Sequence, residues 1–174
     1  MSPFQSLLKL DAKYSLMARI PENRTGLMRA ASIFAHSGDS WFWGAGLTLL
    51  WFEAPVTWRP QIALLFLGIV FTAISVLALK FTIKRPRPEG KWGRIYRNSD
   101  PHSFPSGHAA RATMLTVIIF LSGLWWLGLI MVVWTILVDL SRVGLGVHYF
   151  TDILVGTLIG IVMGVVAFWV YSFI

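Results

Sequence analysis

Three short stretches between Lys80 and Asp152 hold residues whose types and spacing suit them for chemistry. The first is Lys80-Phe81-Thr82-Ile83-Lys84-Arg85-Pro86-Arg87-Pro88. The second is Ser103-Phe104-Pro105-Ser106-Gly107-His108. The third is Ser141-Arg142, followed after five residues by His148 and after three more by Asp152. Together they supply long cationic donors (Lys80, Arg87, Arg142), a hydroxyl on a glycine-containing turn (Ser106, Gly107), two imidazoles (His108, His148) and a carboxylate (Asp152). Charged donors and a backbone amide hold anionic oxygens, while an imidazole can attack or carry a proton. That chemistry is the handling of a phosphate group.

Composition sets what surrounds these groups. Hydrophobic residues make up 56% of the 174 and charged residues only 13%, with nine tryptophans, which is too little polar surface to cover a soluble domain. The expected fold class is therefore all-α: a polytopic membrane helix bundle with amphipathic helices at its amino terminus. The length allows one domain, residues 1–174, with about five crossings at roughly 20 residues each. No cysteine is present, which excludes disulfides and thiolate metal sites. A net charge of +7 would point a soluble protein toward nucleic acid. Here the bases gather at the ends of apolar runs, so anionic lipid and the bilayer are the expected partners, with no nucleic acid.

Residues 3–20 place Leu7, Leu10, Tyr14 and Met17 on one helical face, with Lys9, Lys13 and Arg19 on the others. That segment is too charged to span and suits the headgroup region. With Asp11, the same charges leave no apolar core for a cleavable signal peptide. Residues 25–35 form a second weakly apolar stretch containing Arg29, so 1–36 reads as interfacial helices and 41–174 as the transmembrane core. Spans are expected at 41–52, 62–83, 108–121, 124–140 and 150–174, the first of them short for a bilayer. Ser106 is the expected cap of the third. In the last, Gly156, Gly160 and Gly164 fall at every fourth position, a stripe that lets another helix approach closely. Residues 85–105 form the long polar connection, and such length in a compact bundle is usually functional. Counting crossings brings all three stretches to one membrane face, together with the amino-terminal helices. By the positive-inside rule the bases there would mark a cytoplasmic face, but many of them are needed by a phosphate and are discounted from that count.

Taken in order, Lys80, six residues, Arg87-Pro88, then Pro105-Ser106-Gly107-His108, then Ser141-Arg142, five residues, His148, three residues, Asp152 resemble the complete signature of the type 2 phosphatidic acid phosphatase superfamily. That group includes bacterial membrane lipid phosphatases and shares its site with vanadium haloperoxidases. The resemblance covers about the last two thirds of the chain, and three motifs at predicted span boundaries are far more specific than one. It implies a lipid phosphatase in which His148 attacks phosphorus to give a phosphohistidine and Asp152, one turn on, orients it. By the same resemblance His108 protonates the leaving lipid oxygen and then activates water. Lys80, Arg87, Arg142, Ser106 and the Gly107 amide would hold the equatorial oxygens, where charge collects in the transition state. The resemblance implies no metal and no cofactor, since the cations are built into the protein. Members commonly have six spans, one more than the five read here. Bacterial members often act at the outer face of the cytoplasmic membrane, and a multi-pass cell-membrane protein with its site on that face is the expectation adopted.

The remaining polar residues have plainer readings. His36 and His102 read as satisfied interfacial residues. Lys84, Arg85, Lys91, Arg94 and Arg97 read as a basic surface for lipid headgroups, with the further phosphate of a diphosphate substrate as the alternative. Asp139, inside an apolar run, is costly unless paired, and on a continuing helix it would brace Arg142 three residues on. Polyprenyl diphosphate, phosphatidylglycerol phosphate, phosphatidic acid and the 1-phosphate of lipid A all fit as substrates, the basic loop tilting slightly toward a multiply charged headgroup. A phosphohistidine does not dictate that water is the acceptor, so a lipid phosphotransferase is the alternative enzyme. An anion or lipid transporter with a basic vestibule is the reading from a different class, weakened by the absence of any sequence repeat. Haloperoxidase activity is disfavoured by the membrane setting. Nothing in the sequence sets the oligomeric state.

Overall fold

The computed structural model of the chain describes residues 3–90, 92 and 100–173. Among the described residues it is all-helical: α1 (Pro3–Met17), α2 (Thr25–Ser37), α3 (Ser40–Glu53), a short 3-10 turn (Val56–Trp58), α4 (Arg59–Ile83), α5 (Gly107–Leu121), α6 (Trp125–Gly144) and α7 (Phe150–Tyr171). Pro60 at the start of α4 fits a helix whose first N–H groups need no partner. Three elements are long and apolar enough to cross a bilayer, Val56–Ile83, Trp125–Gly144 and Phe150–Tyr171. At 14 and 15 residues, α3 and α5 are shorter than a full crossing. The bundle is apolar on its outside: Leu67, Phe71, Ile74, Val133, Leu154, Leu158 and Val162 are all exposed. Such a surface is stable in hydrocarbon, where helices satisfy their own backbone groups.

The hub of the bundle is α5, ten of whose fifteen residues are buried; it packs on α4, α6 and α7. Shielded by its neighbours, it need not match the hydrocarbon thickness. At about 1.5 Å per residue it is roughly 22 Å long, so its amino-terminal end lies among the other helices. The glycine stripe of α7 makes the closest contact in the bundle. A Cβ on Gly156 would sit 2.5 Å from the Ser106 carbonyl oxygen, and one on Gly164 would sit 2.7 Å from Val117 Cβ. Gly160 lies against the Ala110 carbonyl oxygen and Thr113 Cβ.

One element differs from its sequence reading. The helix expected to stop at Leu140 continues through Ser141 and Arg142 to Gly144. No helix breaker intervenes before that glycine, and Arg142 in the last turn complements the helix dipole. In α1 the apolar stripe turns outward, with Leu7, Leu10, Tyr14 and Met17 exposed and Asp11 and Ser15 buried. Asp11 and Ser15 face the protein because their hydrogen-bond partners in α7 lie there, while Lys9 and Lys13 stay exposed.

Replacing Gly160 by valine should force α7 off α5. An overpacked contact of this kind costs about 1–3 kcal/mol, to be read as a lowered unfolding midpoint in detergent.

Candidate active site

The first motif is shaped by how α4 ends. Lys84 adopts φ +52°, ψ +36°, and its N–H still bonds Lys80 O at 2.9 Å, which turns the chain sharply out of the helix. The outgoing strand then pairs with the returning one through a bridge between Pro86 and His102 and through Ser103 N–H donating to Arg85 O at 2.8 Å. That pairing brings Lys80, Arg87 and Asp100 together. Lys80 Nζ donates to the Asp100 carboxylate and to His102 O, the latter at 3.0 Å. Arg87 donates to Asp100 Oδ2 at 2.7 Å, to Asp100 O at 2.7 Å and to Val147 O at 2.9 Å. Burial alone would raise the Asp100 carboxyl, but Lys80 and Arg87 hold it below its ordinary value.

The third motif is held by α6 and α7. The Arg142 carbonyl accepts from Val147 N at 3.1 Å and His148 N at 3.3 Å, setting the turn that carries the imidazole, and the Arg142 side chain is buried. His148 is 2% exposed, with Nε2 3.3 Å from Arg87 Nη1 and Nδ1 3.4 Å from Asp152 Oδ2. The latter is an ion-pair distance without hydrogen-bond geometry, since Nδ1 has no hydrogen-bond partner among the described residues. Asp152 is instead fixed by Tyr149 N–H at 2.9 Å, by Arg85 Nη1 at 2.8 Å and by the Ser103 side chain. Burial, then the Arg87, Arg142 and Lys80 cations, push His148 well below its ordinary value of 6.5, leaving a neutral ring.

The second motif begins α5. Ser106 is its N-cap, the side chain accepting from Ala109 N–H at 3.4 Å as the sequence leads one to expect, while Ser106 N–H donates to Asp152 O at 3.0 Å. Next to it, Gly107 and His108 border a cavity of about 200 Å³ shared with Lys80, Asp100, Arg111 and His148. Both imidazoles thus face one space, whereas Arg87, Arg142, Ser106 and Asp152 are buried but do not form its lining. Its remaining wall is largely apolar: Ile69, Ala73, Val76 and Leu77 of α4. A neutral imidazole beside buried cations can attack an electrophilic phosphorus, and a second imidazole across the cavity can move a proton.

Some expected residues stand elsewhere. Arg85 is not a free headgroup ligand: it donates to Asp152, Thr151 Oγ1 and Asp11 Oδ2 and lies 3.9 Å over the Tyr149 ring, a buried tie between α1, α4 and α7. Asp139 hydrogen-bonds Thr157 and so joins α6 to α7 rather than bracing Arg142. Lys84 is exposed, as a headgroup-facing base should be, while Lys91, Arg94 and Arg97 lie outside the described residues. His36 and His102 are satisfied locally, by Asp39 at 3.0 Å and by edge contact with Phe81.

Sequence reasoning missed five residues. Asp100 clamps the first motif. Asp11 and Ser15 of α1 cap α7, accepting from Thr151 N–H at 3.1 Å and Phe150 N–H at 3.0 Å. Asp39 lies 2.8 Å from His108 Nε2. Arg111, three residues after His108, borders the cavity and donates to Gly38 O at 3.1 Å. Arg111 alone carried a usable signal, a cation inside an apolar helix on the face of a motif histidine.

Residues 61–174 match the family model described as PAP2 superfamily. The chain belongs to the PAP2 superfamily. Its fold is similar to a solved transmembrane PAP2-type phosphatidylglycerolphosphate phosphatase from Bacillus subtilis, at 24% identity and a TM-score of 0.75 over all of this chain and 89% of that one. It is also similar to Aquifex aeolicus LpxE, at 26% identity and a TM-score of 0.71 over 92% of this chain and 93% of that one. It is accordingly a membrane protein with the helix bundle of PAP2-type phosphatases.

Two outcomes follow for this PAP2 site. Because His148 stays neutral when folded and charges near 6.5 when unfolded, the unfolded state binds the extra proton as pH falls. Stability is full above that value and declines below it, by up to about 1.4 kcal/mol per pH unit. In a His148→Asn protein the dependence of unfolding free energy on pH between 7 and 5 should flatten. Asp11→Ala, which strips partners from Arg85 and the first turn of α7, should cost about 1–3 kcal/mol in the same unfolding assay.

Proposed function

We propose that this protein is an integral-membrane lipid phosphatase that removes a terminal phosphate through a phosphohistidine. The observation that carries this reading is the single cavity in which Lys80, His108 and His148 meet an apolar wall of α4. A phosphate can lie against the cations while its lipid tail leaves along Leu77, Val76 and Ala73 toward hydrocarbon. With Nδ1 turned to Asp152, His148 Nε2 is the attacking atom. The Nε2–P bond forms as the lipid O–P bond breaks, and His108 gives its proton to the departing oxygen. Lys80, Arg87, Arg142 and the Gly107 amide stabilise the equatorial oxygens. Water then attacks phosphorus, His108 takes its proton, and the Nε2–P bond breaks. As the imidazolium develops, its contact with Asp152 shortens into a hydrogen bond, a tightening common when a site leaves its resting geometry.

The same reading treats residues 1–174 as one phosphatase domain, with 1–36 as interfacial helices on a transmembrane core. The outward apolar stripe of α1 supports it, since that face suits lipid while Asp11 and Ser15 hold the helix to α7. It places the chain in a bacterial cell membrane with the cavity at the outer face. The Bacillus relative is named for phosphatidylglycerolphosphate, which makes that lipid the first of the four candidates to test.

Purified protein in detergent should release phosphate from at least one of phosphatidylglycerol phosphate, polyprenyl diphosphate, phosphatidic acid and lipid A 1-phosphate, with EDTA present. His148→Ala should bring release to background, and His108→Gln should lower it by about 10²–10⁴-fold. Release that persists in His148→Ala would sink the mechanism.

A further inference from the structure

His108 is held from outside the three motifs. Its Nε2 lies 2.8 Å from Oδ1 of Asp39, which stands between α2 and α3 and outside the residues 61–174 that match the family model. That linker is built against the imidazole. Arg111 donates to Gly38 O at 3.1 Å, Trp43 Nε1 to Ser37 O at 3.0 Å and Trp134 Nε1 to Ser37 Oγ at 2.9 Å. A Cβ on Gly38 would lie 3.1 Å from both His108 Cδ2 and Val138 Cγ1, so the backbone passes the ring at contact distance. The second carboxylate oxygen is also occupied: Asp39 Oδ2 accepts from Trp41 Nε1 at 3.2 Å and meets His36 Nδ1 at 3.0 Å. Burial alone would raise the Asp39 carboxyl, but its bonds to His108 and His36 hold it far below its ordinary value, and it stays ionised.

We propose that Asp39 is the positioning residue for proton transfer, holding Nε2–H of His108 and leaving Nδ1 as the nitrogen that exchanges a proton with the substrate. The inference rests on the phosphatase reading above. In the first half-reaction the His148 Nε2–P bond forms as the lipid P–O bond breaks, the His108 Nδ1 proton goes to the lipid oxygen, and the His108 Nε2–H stays on the ring, hydrogen-bonded to Asp39. In the second, water adds to phosphorus, its proton goes to the vacated Nδ1, and the His148 Nε2–P bond breaks. One nitrogen therefore gives and takes the proton, and the ring never has to turn. Without a partner at Nε2 the neutral ring would be free to adopt the other tautomer, whose protonated Nδ1 cannot accept from water. The carboxylate itself stays ionised throughout, as an orienting carboxylate behind a catalytic imidazole does.

Leaving-group chemistry separates this role from a merely structural one. A lipid alkoxide needs a proton to depart, whereas 4-nitrophenolate does not, so the first-turnover rate of leaving-group release is compared for a lipid phosphate and 4-nitrophenyl phosphate. Asp39→Asn should lose about 10²-fold on the lipid and less than about 10-fold on the aryl ester. Equal losses on both, or no loss on the lipid, would overturn the proposal. Nitrogen-15 NMR of the unmodified protein, with His108 assigned from a His108→Gln sample, tests it without a destabilising variant. Nε2 should keep its proton while Nδ1 titrates, and titration at Nε2 would overturn it. An unmodified protein that releases no phosphate from any lipid defeats the phosphatase reading and this inference together. Release that is lost in His148→Ala but shows no leaving-group split in Asp39→Asn defeats this inference alone.

Discussion

Buried cations are tolerable here because carboxylates are placed against them. Moving an ammonium or guanidinium from water into a helix bundle costs several kcal/mol after relaxation, and this site moves several at once. Lys80 and Arg87 share Asp100, and Arg85 lies between Asp11 and Asp152. Arg111 is anchored beside Asp39 through Gly38 O. Each carboxylate comes from a different segment, so the charge balance is made only when α1, the α2–α3 linker, the polar loop and α7 are all in place. Much of the tertiary structure can be understood as the delivery of those counterions. Under the proposed function a phosphate oxygen would meet donors that are already desolvated, the condition under which electrostatic stabilisation is largest.

Delivery needs a rigid reference, and α5 provides it. It starts at Ser106 and carries His108 and Arg111 on its first turn, while its flank receives the glycine stripe of α7. Because Gly156 lies against the Ser106 carbonyl, the helix bearing Asp152 and the turn bearing His108 are fixed to one another at backbone distance. Ser106 N–H donating to Asp152 O closes the same contact. The second motif is thus joined by main chain to the third and, through Ser103 N–H and Arg85 O, to the first, which reaches the third through the side chains of Arg85 and Arg87. Close packing by small residues, usually a device for helix association in membranes, here sets active-site geometry.

What the sequence discloses follows from which interactions are local. Lys80, Ser106, Arg142 and Asp152 are legible because a polar residue at the end of an apolar run stands out, and their spacing forms a recognisable signature. The span order, the Ser106 cap and the close approach at Gly156, Gly160 and Gly164 are legible for the same reason, since each depends on neighbours within a few residues. The counterions are not. Asp11 pairs with Arg85 across 74 residues and Asp39 meets His108 across 69, and no periodicity links such positions. Arg85 therefore resembles any basic residue just past a span until its partners are seen. The outward stripe of α1 is ambiguous for a related reason: an amphipathic helix shows two faces, and only a bilayer on one side with Phe150 and Thr151 on the other decides which is buried.

One small cavity holds two imidazoles with different charged neighbours. His148 faces Arg87 and is surrounded by further positive charge, which favours the neutral ring with a lone pair at Nε2. His108 instead has a carboxylate at its ring, with Asp39 Oδ1 2.8 Å from Nε2. Chemically identical side chains thus have nearest charged neighbours of opposite sign, Arg87 at one and Asp39 at the other. Neither environment is made by the residue's own helix alone. The cations around His148 come from the end of α4, the polar loop and α6, whereas the anion at His108 comes from a linker near the other end of the sequence. Bundle topology, by bringing the α2–α3 linker over the start of α5, is what makes the second environment differ from the first.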